Sequence, residues 1–211
     1  MREILFLGDS ITDCDHSFDP ENLGTGYIRM IAEYFSAQKA EVQIHNMGID
    51  GLTVNSSKRL WNLCCKDLKP DFITILIGIN DIAVMKNTDK DPELALLEFE
   101  YQYESLIRQI RSQTNCPILL MEPFVFPHPA MFLSWEADVQ LMSKIIQKLA
   151  VKYDLSFLPL WDALSNAALE NGYDAVTLDG VHLTKLGHQM IADSLLQLLL
   201  PEPPAGLSTV L

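Results

Sequence analysis

Cysteine is scarce in this sequence, and the few cysteines present form no metal or disulfide pattern. Four occur among 211 residues, at Cys14, Cys64, Cys65 and Cys116. Their spacing matches no zinc motif, and the adjacent pair at 64–65 suits a disulfide framework poorly. The sequence therefore predicts no metal site and indicates a reduced protein of the cytoplasm.

Long apolar segments are also missing. The chain starts with Met1-Arg2-Glu3, followed by an apolar run of four residues that ends at Gly8. A secretory signal needs an apolar stretch of about 7 to 15 residues, and a membrane-spanning helix needs roughly 18. No run in this sequence meets either requirement, so we expect neither secretion nor membrane insertion.

Positive charge is the third deficit. The chain has 15 Lys and Arg against 28 Asp and Glu, which gives a formal net charge of −13 and a pI near 4.6. Nucleic-acid binding needs a basic face, and anionic lipid attracts basic segments. We therefore expect no nucleic-acid partner and no membrane docking, whereas a neutral or cationic ligand remains compatible with the charge.

What the sequence does contain is an alternation of short apolar runs with longer amphipathic stretches. Five runs bounded by Gly, Pro, Asp or Asn are typical of buried strands: residues 3–7, 41–46, 71–78, 116–121 and 155–160. Stretches of helical period lie between and after them, near 25–38, 55–67, 93–113, 136–153 and 184–200.

This alternation predicts an α/β fold. Strand and helix alternating five times indicate a three-layer α/β/α sandwich with a central five-stranded parallel sheet, of the doubly wound, flavodoxin-like kind. We expect a single domain over residues 1–200. The proline-rich segment 201–211 is expected to be a loosely held tail. The number of subunits is left open, so a homo-oligomer remains compatible with the sequence.

Polar residues gather where the predicted strands end. In open α/β sheets, ligands bind beyond the carboxyl ends of the strands. The first strand is followed by Gly8-Asp9-Ser10, the second by "NMGIDG" (46–51) and the third by "GIND" (78–81). The stretch "LDGVHLT" (178–184) comes after the fifth strand. A serine, glycines, an asparagine, an aspartate and a histidine are thus predicted on one edge of the sheet.

Asp179 and His182 are separated by three positions and can lie on one side of a single turn. A carboxylate against an imidazole is what a general base needs, because the acid fixes the ring tautomer and stabilises the imidazolium. Taken alone, the pair is better explained as a surface pair in a loop or helix start, with Asp179 capping the turn, since short motifs often match by chance.

Ser10 also has two interpretations. With Asp13 three residues later, it resembles a capping box, although Glu or Gln is the usual partner. A serine hydroxyl beside a base such as His182 becomes a nucleophile instead. The stretch is not a G-x-S-x-G elbow, because Thr12 stands two residues after Ser10.

Asn80 and Gly51 remain ambiguous when each is taken singly. Asn80 suits an Asx turn after the third strand, but its amide is also a neutral donor for an oxyanion. Gly51 suits a turn with positive φ, but it also lets a backbone N–H approach the same oxygen. One such donor contributes roughly 3 to 4 kcal/mol of transition-state stabilisation. His188 lies inside a helical stretch, and we expect it to have a surface or packing role.

Together these blocks resemble the GDSL, or SGNH, hydrolase family, named for its Ser, Gly, Asn and His. Gly8-Asp9-Ser10, Gly51, "GIND" and the Asp179–His182 pair occur in the family's order and span nearly the whole chain. The stretches "FLGDSITDC", "LGTGYI", "KPDFITILIGIND" and "GHQMIA" are more narrowly similar to the family's intracellular acetylxylan esterases.

The resemblance implies the SGNH hydrolase fold and an esterase that releases acetate from sugars such as xylo-oligosaccharides. It makes Ser10 the nucleophile, His182 the base oriented by Asp179, and the Ser10 N–H, Gly51 N–H and Asn80 amide the oxyanion hole. No cofactor is required. Because His182 must be neutral to act, activity is expected to fall as the pH drops through roughly 6 to 7, where histidines take up a proton.

Two positions depart from the family pattern. Leu183 stands where the family often has proline, and Asp50 adds a carboxylate beside Gly51 that we expect to be hydrogen-bonded aside. Candidate substrate contacts are Asp9, Phe124 and Trp135, although the aromatic side chains also suit a core or an interface. A lysophospholipase or thioesterase on the same scaffold, or a binding module without activity, are the alternatives.

Overall fold

The predicted parallel sheet is present in a computed structural model of the chain, which describes residues 1–88 and 90–200. Its strands are β1 (Arg2–Gly8), β2 (Val42–Gly48), β3 (Phe72–Leu76), β4 (Ile118–Met121) and β5 (Ser156–Leu158). All neighbouring pairs are parallel and the order is β2-β1-β3-β4-β5. The predicted fold class is confirmed, whereas the predicted tail at 201–211 lies outside the described residues.

Helices cover the sheet in two layers. They are α1 (Ser10–Asp13), α2 (Tyr27–Ala37), α3 (Val54–Leu60), α4 (Ile79–Lys86), α5 (Pro92–Arg111), α6 (Glu136–Lys152), α7 (Trp161–Asn171), α8 (Tyr173–Val176) and α9 (Lys185–Leu199). Short 3₁₀ turns add His16–Phe18 and Ala130–Ser134. Helix α5 packs on α3 and α6, whereas α2 packs on α9. Because both faces are covered, Ile4 to Leu7 of β1 are fully buried, as the apolar runs predicted.

The register aligns the ends of the three strands that carry candidate site residues. Gly8 at the end of β1 pairs with Gly48 at the end of β2 and with Leu76 at the end of β3. The segments after these strands therefore lie side by side at one edge of the sheet, although they are far apart in sequence.

Two glycines allow α1 to sit directly on this edge. A Cβ at Gly8 would come within 1.9 Å of the Thr12 hydroxyl oxygen, and one at Gly48 within 2.2 Å of the Asp13 backbone nitrogen. Neither gap admits a side chain, so the turn after β1 and the end of β2 are in contact through their backbones.

The structure adds the helices α1, α7 and α8 to the predicted ones, and it also differs from the prediction after β2 and after β3. The helical stretch predicted at 55–67 is the α-helix α3 followed by one π-helical turn, Trp61–Cys65. Helix α4 has no counterpart among the predicted helices, because it starts almost directly from β3 and has only eight residues. Gly78, with φ +148°, is its N-cap and makes that abrupt change of direction possible.

Candidate active site

Ser10 is the first residue of α1 and lies directly beyond the carboxyl end of β1. The N-cap of this short helix is Asp9, whose carboxylate accepts a hydrogen bond from the Ile11 N–H at 3.1 Å. The capping interpretation of Ser10 with Asp13 is therefore wrong, because the preceding residue does the capping. The Ser10 hydroxyl faces a histidine ring instead.

Asp179 and His182 occupy one turn between α8 and α9. Asp179 Oδ1 accepts hydrogen bonds from the N–H groups of Val181 (2.9 Å) and His182 (2.8 Å), and Oδ2 lies 2.6 Å from His182 Nδ1. The Leu178 N–H donates to the His182 carbonyl at 2.8 Å. Asp179 thus caps the turn and contacts the imidazole at once, so the two interpretations of this pair describe the same geometry.

A chain of contacts joins this turn to α1. Ser10 Oγ and His182 Nε2 lie 2.9 Å apart. With Nδ1–H donating to Asp179, Nε2 is the nitrogen that can accept the serine proton. Partial burial acts to raise the pKa of Asp179, but hydrogen bonds from the His182 ring and from two backbone N–H groups outweigh it and lower that pKa. Asp179 is therefore an anion at neutral pH.

Gly51 and Asn80 approach the same region from the two neighbouring strands. Gly51 has φ +70°, and no atom lies within 4 Å of the place where its Cβ would be. Asn80 is in the first turn of α4, and its Nδ2 donates to the Leu52 carbonyl at 3.2 Å. That bond uses one of the two amide N–H groups and ties Asn80 to the loop that carries Gly51.

Asp50 and Leu183, the two departures from the family pattern, differ in how their surroundings accommodate them. The Asp50 N–H donates to Asp13 Oδ2 at 3.2 Å, but the Asp50 carboxylate is exposed and makes no hydrogen bond within residues 1–88 and 90–200. The expectation that this carboxylate is hydrogen-bonded aside is therefore wrong, because the backbone of Asp50 makes the bond. Leu183 forms a single antiparallel bridge with Thr177 through the His182 carbonyl and the Thr184 N–H. The bridge does not use the Leu183 N–H, so a proline, which lacks that group, would remove no hydrogen bond of the bridge.

Two of the three candidate substrate contacts are buried, and Trp135 is half-buried. Asp9 and Phe124 are each only 1% exposed, and burial raises the pKa of Asp9 to about 7. Trp135 packs edge-on against Phe132, with ring centroids 4.8 Å apart. Burial leaves Asp9 and Phe124 little surface for a substrate, whereas substrate contact by Trp135 stays a prediction. The loop after β4 instead supports the turn of Asp179 and His182, since the Phe126 N–H donates to the Gly180 carbonyl at 2.8 Å.

A cavity of about 300 Å³ opens beside Ser10 and His182. Its wall includes Cys14, Asp15, Thr25, Asp50 and His188. Most of these side chains are polar, and two are carboxylates. The cavity therefore suits a polar group attached to the ester.

His188 is a buried wall residue and not a surface one. It is 8% exposed, its ring stacks on Tyr27 with centroids 6.3 Å apart, and its Nε2 lies 3.5 Å from Cys14 Sγ. Burial, with a smaller effect of His182, lowers the pKa of His188 to about 4. The ring is therefore neutral, and of the two predicted roles it has the packing one.

Sequence reasoning missed two residues that hold the edge together. Asp13 accepts hydrogen bonds from the backbone of Asp50 at 3.2 Å and contacts the His16 ring at 2.6 Å. Asn46, 5% exposed, donates to the carbonyls of Thr12, Asp13 and Leu23. Asp13 and His16 have the same spacing as Asp179 and His182. This repeated spacing is the signal in the sequence that could have identified Asp13.

Residues 1–88 and 90–200 contain neither a candidate membrane-spanning helix nor a candidate metal-binding group. No helix there has the length and apolar character needed to cross a membrane. The same residues contain no group of three or more His, Cys, Asp or Glu side chains arranged to hold a metal ion.

Comparison with known proteins gives a consistent result. A model of the GDSL-like lipase/acylhydrolase family matches residues 6–190. An acetylxylan esterase of Geobacillus stearothermophilus is 29% identical in an alignment of length 207, which covers 93% of this chain and 93% of the other.

Solved structures agree with these matches. A crystal structure of that organism's acetylxylan esterase Axe2 has a TM-score of 0.78 at 28% identity and covers 93% of both chains. A protein of Parabacteroides merdae described as a GDSL-like lipase has a TM-score of 0.83 at 27% identity, covering 93% of this chain and 94% of the other.

Proposed function

Because this chain belongs to the GDSL-like lipase/acylhydrolase family and is a carboxylic ester hydrolase, we propose that it is a serine esterase that removes acetyl groups from carbohydrates, such as acetylated xylo-oligosaccharides. The observation that carries the proposal is the chain of contacts from Ser10 Oγ to His182 (2.9 Å) and from His182 to Asp179 (2.6 Å). In it a hydroxyl, a base and an orienting acid stand in reacting order.

The proposed reaction has two steps. Ser10 Oγ attacks the ester carbonyl carbon while His182 Nε2 takes its proton, and the resulting imidazolium is stabilised by Asp179. His182 then gives this proton to the departing alcohol oxygen, which leaves an acetyl group on Ser10. A water molecule, deprotonated by His182, attacks the acyl-enzyme and frees acetate, which restores the serine hydroxyl.

The oxyanion of each tetrahedral intermediate is proposed to bind the N–H groups of Ser10 and Gly51 and the Asn80 amide. The open space around Gly51 supports this assignment, because a side chain there would obstruct the oxygen. Asn80 retains an N–H after bonding to Leu52. Preorganised donors of this kind are each worth roughly 10²- to 10³-fold in kcat.

The relatives support both the catalytic residues and the substrate class. Catalytic mutants of Axe2 replace a serine, an aspartate or a histidine by alanine, and that aspartate and histidine are three positions apart. Asp179 and His182 have the same separation. The Axe2 structures are described as those of an acetylxylan or acetyl-xylooligosaccharide esterase, and the polar cavity beside Ser10 suits a sugar.

Hydrolysis of p-nitrophenyl acetate by a Ser10→Ala variant tests the nucleophile. We expect turnover to be lost, by roughly 10³-fold or more, with an unchanged far-UV circular dichroism spectrum. Ser17→Ala is the matched control, because Ser17 is exposed in the neighbouring 3₁₀ turn, and it should retain full activity. Turnover by Ser10→Ala at the wild-type rate would refute the assignment.

The substrate class needs a separate experiment. Acetate release should be faster from acetylated xylose derivatives, which are neutral, than from acetylated rhamnogalacturonan fragments, which are anionic. Acetyl esters should be hydrolysed faster than octanoyl esters of the same alcohol. The reverse chain-length preference would indicate a lysophospholipase or thioesterase instead.

A further inference from the structure

Two carboxylates line the cavity beside the proposed nucleophile. Asp15 and Asp50 are both exposed and both contribute to its wall, together with Ser10 and His182. They come from different loops, one after α1 and the other after β2. The part of the chain that the structure describes contains no ion pair to either carboxylate.

Neighbouring positive charges do not neutralise this pair. An adjoining cavity of about 490 Å³ shares Thr25 and His188 with the first one and contains Arg29, Glu33 and Lys185. Arg29 is paired with Asp19 and Glu21, and Lys185 lines the second cavity together with Glu33. The second cavity is therefore close to charge balance, whereas the first has a net negative wall.

Cys14 lines the same cavity as these carboxylates. Burial, followed by the carboxylates of Asp13, Asp15, Asp50 and Asp9, raises the pKa of its thiol to about 12. The thiol is therefore neutral, and any charge that a ligand brings into this cavity meets the same field.

His188 gives an independent indication of a polar ligand. Its ring is 8% exposed, lines the same cavity, and its Nδ1 has no hydrogen-bond partner among the described residues. A buried ring nitrogen without a partner is costly. A hydroxyl or ammonium group on a bound ester would supply the missing partner if the wall adjusted around it.

We propose that Asp15 and Asp50 are specificity-determining residues, which make the enzyme prefer esters whose alcohol half is cationic over esters whose alcohol half is anionic, with neutral alcohols between them. The inference rests on the proposed esterase function, because it concerns the same cavity. Charges that face each other across a partly desolvated cleft interact more strongly than in water, so exposed carboxylates at this place affect binding and the rate of encounter.

A matched series of acetate esters tests this preference. The cation is acetylcholine, its neutral analogue is 3,3-dimethylbutyl acetate, and the anion is 2-sulfoethyl acetate. Each kcat/KM, measured by acetate release, is divided by the ester's rate of alkaline hydrolysis to remove intrinsic reactivity. At low salt we expect the cation to exceed the anion by about tenfold, and about 0.5 M NaCl should reduce that ratio because it screens exposed charges.

Charge-neutral variants link the preference to these two residues. Asp50→Asn and Asp15→Asn should each reduce the cation-to-anion ratio about threefold, and the double variant should bring it close to one. Asparagine suits position 15, where φ is +61°, because it tolerates this left-handed conformation. Asp67→Asn is the control, since Asp67 is exposed and precedes β3, at the opposite edge of the sheet.

The outcomes separate this inference from the proposed function. If the wild-type enzyme hydrolyses p-nitrophenyl acetate but has a ratio near or below one, the inference is wrong and the esterase function stands. It is also wrong if Asp67→Asn lowers the ratio as much as Asp50→Asn does. If no acetate ester is hydrolysed at all, the esterase function itself fails.

Discussion

The molecule contains two aspartate–histidine pairs with the same spacing and the same contact distance. Asp179 and His182 lie 2.6 Å apart, as do Asp13 and His16. What differs is the third partner. His182 faces the Ser10 hydroxyl, whereas in the other pair it is the aspartate that reaches outward, to the Asp50 backbone N–H.

This comparison shows that the pair itself does not define a base. A carboxylate against an imidazole orients the ring in both turns, but of these two rings only that of His182 has a serine hydroxyl at its other nitrogen. The second pair belongs to the support of the loop that carries Gly51. The local motif is therefore the same, and the tertiary partner decides what the motif does.

The largest expected effect comes from removing each histidine in turn. His182→Ala should lower kcat/KM for p-nitrophenyl acetate by roughly 10³-fold or more, because the proposed base is lost. His16→Ala should lower it only a few-fold, because its ring contacts Asp13 and not the serine. Equal losses in the two variants would show that the comparison is mistaken.

A smaller effect is expected from removing the second aspartate. Asp13→Ala deletes the acceptor of the Asp50 N–H and should loosen the Gly51 loop, which lowers kcat about tenfold while KM changes little. The reason is that an oxyanion donor acts in the transition state more than in the ground state.

Asp19→Ala is a suitable comparison for that variant. Asp19 also holds loop backbone, through the N–H groups of Leu23 and Gly24, but it has no contact with the Gly51 loop. It should leave kcat nearly unchanged. If Asp13→Ala raised KM and left kcat unaltered, Asp13 would not act through the oxyanion.

The smallest expected effect concerns stability and comes from the titration of His188, which forms no ion pair with a carboxylate among the described residues. The pKa of His188 is lowered to about 4. Between pH 6.5 and 4, this histidine is therefore protonated in the unfolded chain and neutral in the folded protein. The free energy of unfolding contributed by His188 is complete above pH 6.5 and is lost as the pH falls through this range.

Urea denaturation measures this loss. Between pH 6.5 and 5.5, the wild type should lose about 1 kcal/mol relative to a His188→Gln variant. The buried Asp9 titrates with the opposite sign, but it is present in both proteins and cancels in the difference. Parallel stability curves for the two proteins would contradict the burial of a neutral ring.

The sheet could be predicted from sequence because its signal is local. Each strand is an apolar run, and β3 is apolar at nearly every position since helices cover both of its faces. Helix α4 and the π-helical turn Trp61–Cys65 could not be located in the same way. The first is too short for a clear period, and the second differs from an α-helix only in its hydrogen bonds.

The candidate site likewise contains residues that local sequence patterns predict and a contact that they do not. Ser10, Gly51, Asn80 and the Asp179–His182 pair each follow a predicted strand or occupy one turn, so topology alone placed them on one edge. The contact of Asp13 with Asp50 joins positions 37 residues apart, and no local pattern encodes it. For this reason the expected hydrogen bond of the Asp50 carboxylate is wrong, since the backbone N–H of Asp50 is the bonded group.

The turn that holds Asp179 and His182 orients the imidazole without help from the serine. Both side chains are fixed within four residues of one another, by bonds that the turn makes to itself. Among residues 1–88 and 90–200, the one hydrogen bond of these two side chains that leaves the turn is the 2.9 Å contact from His182 to Ser10. A substitution at Ser10 is therefore expected to leave the orientation and the tautomer of the imidazole unchanged.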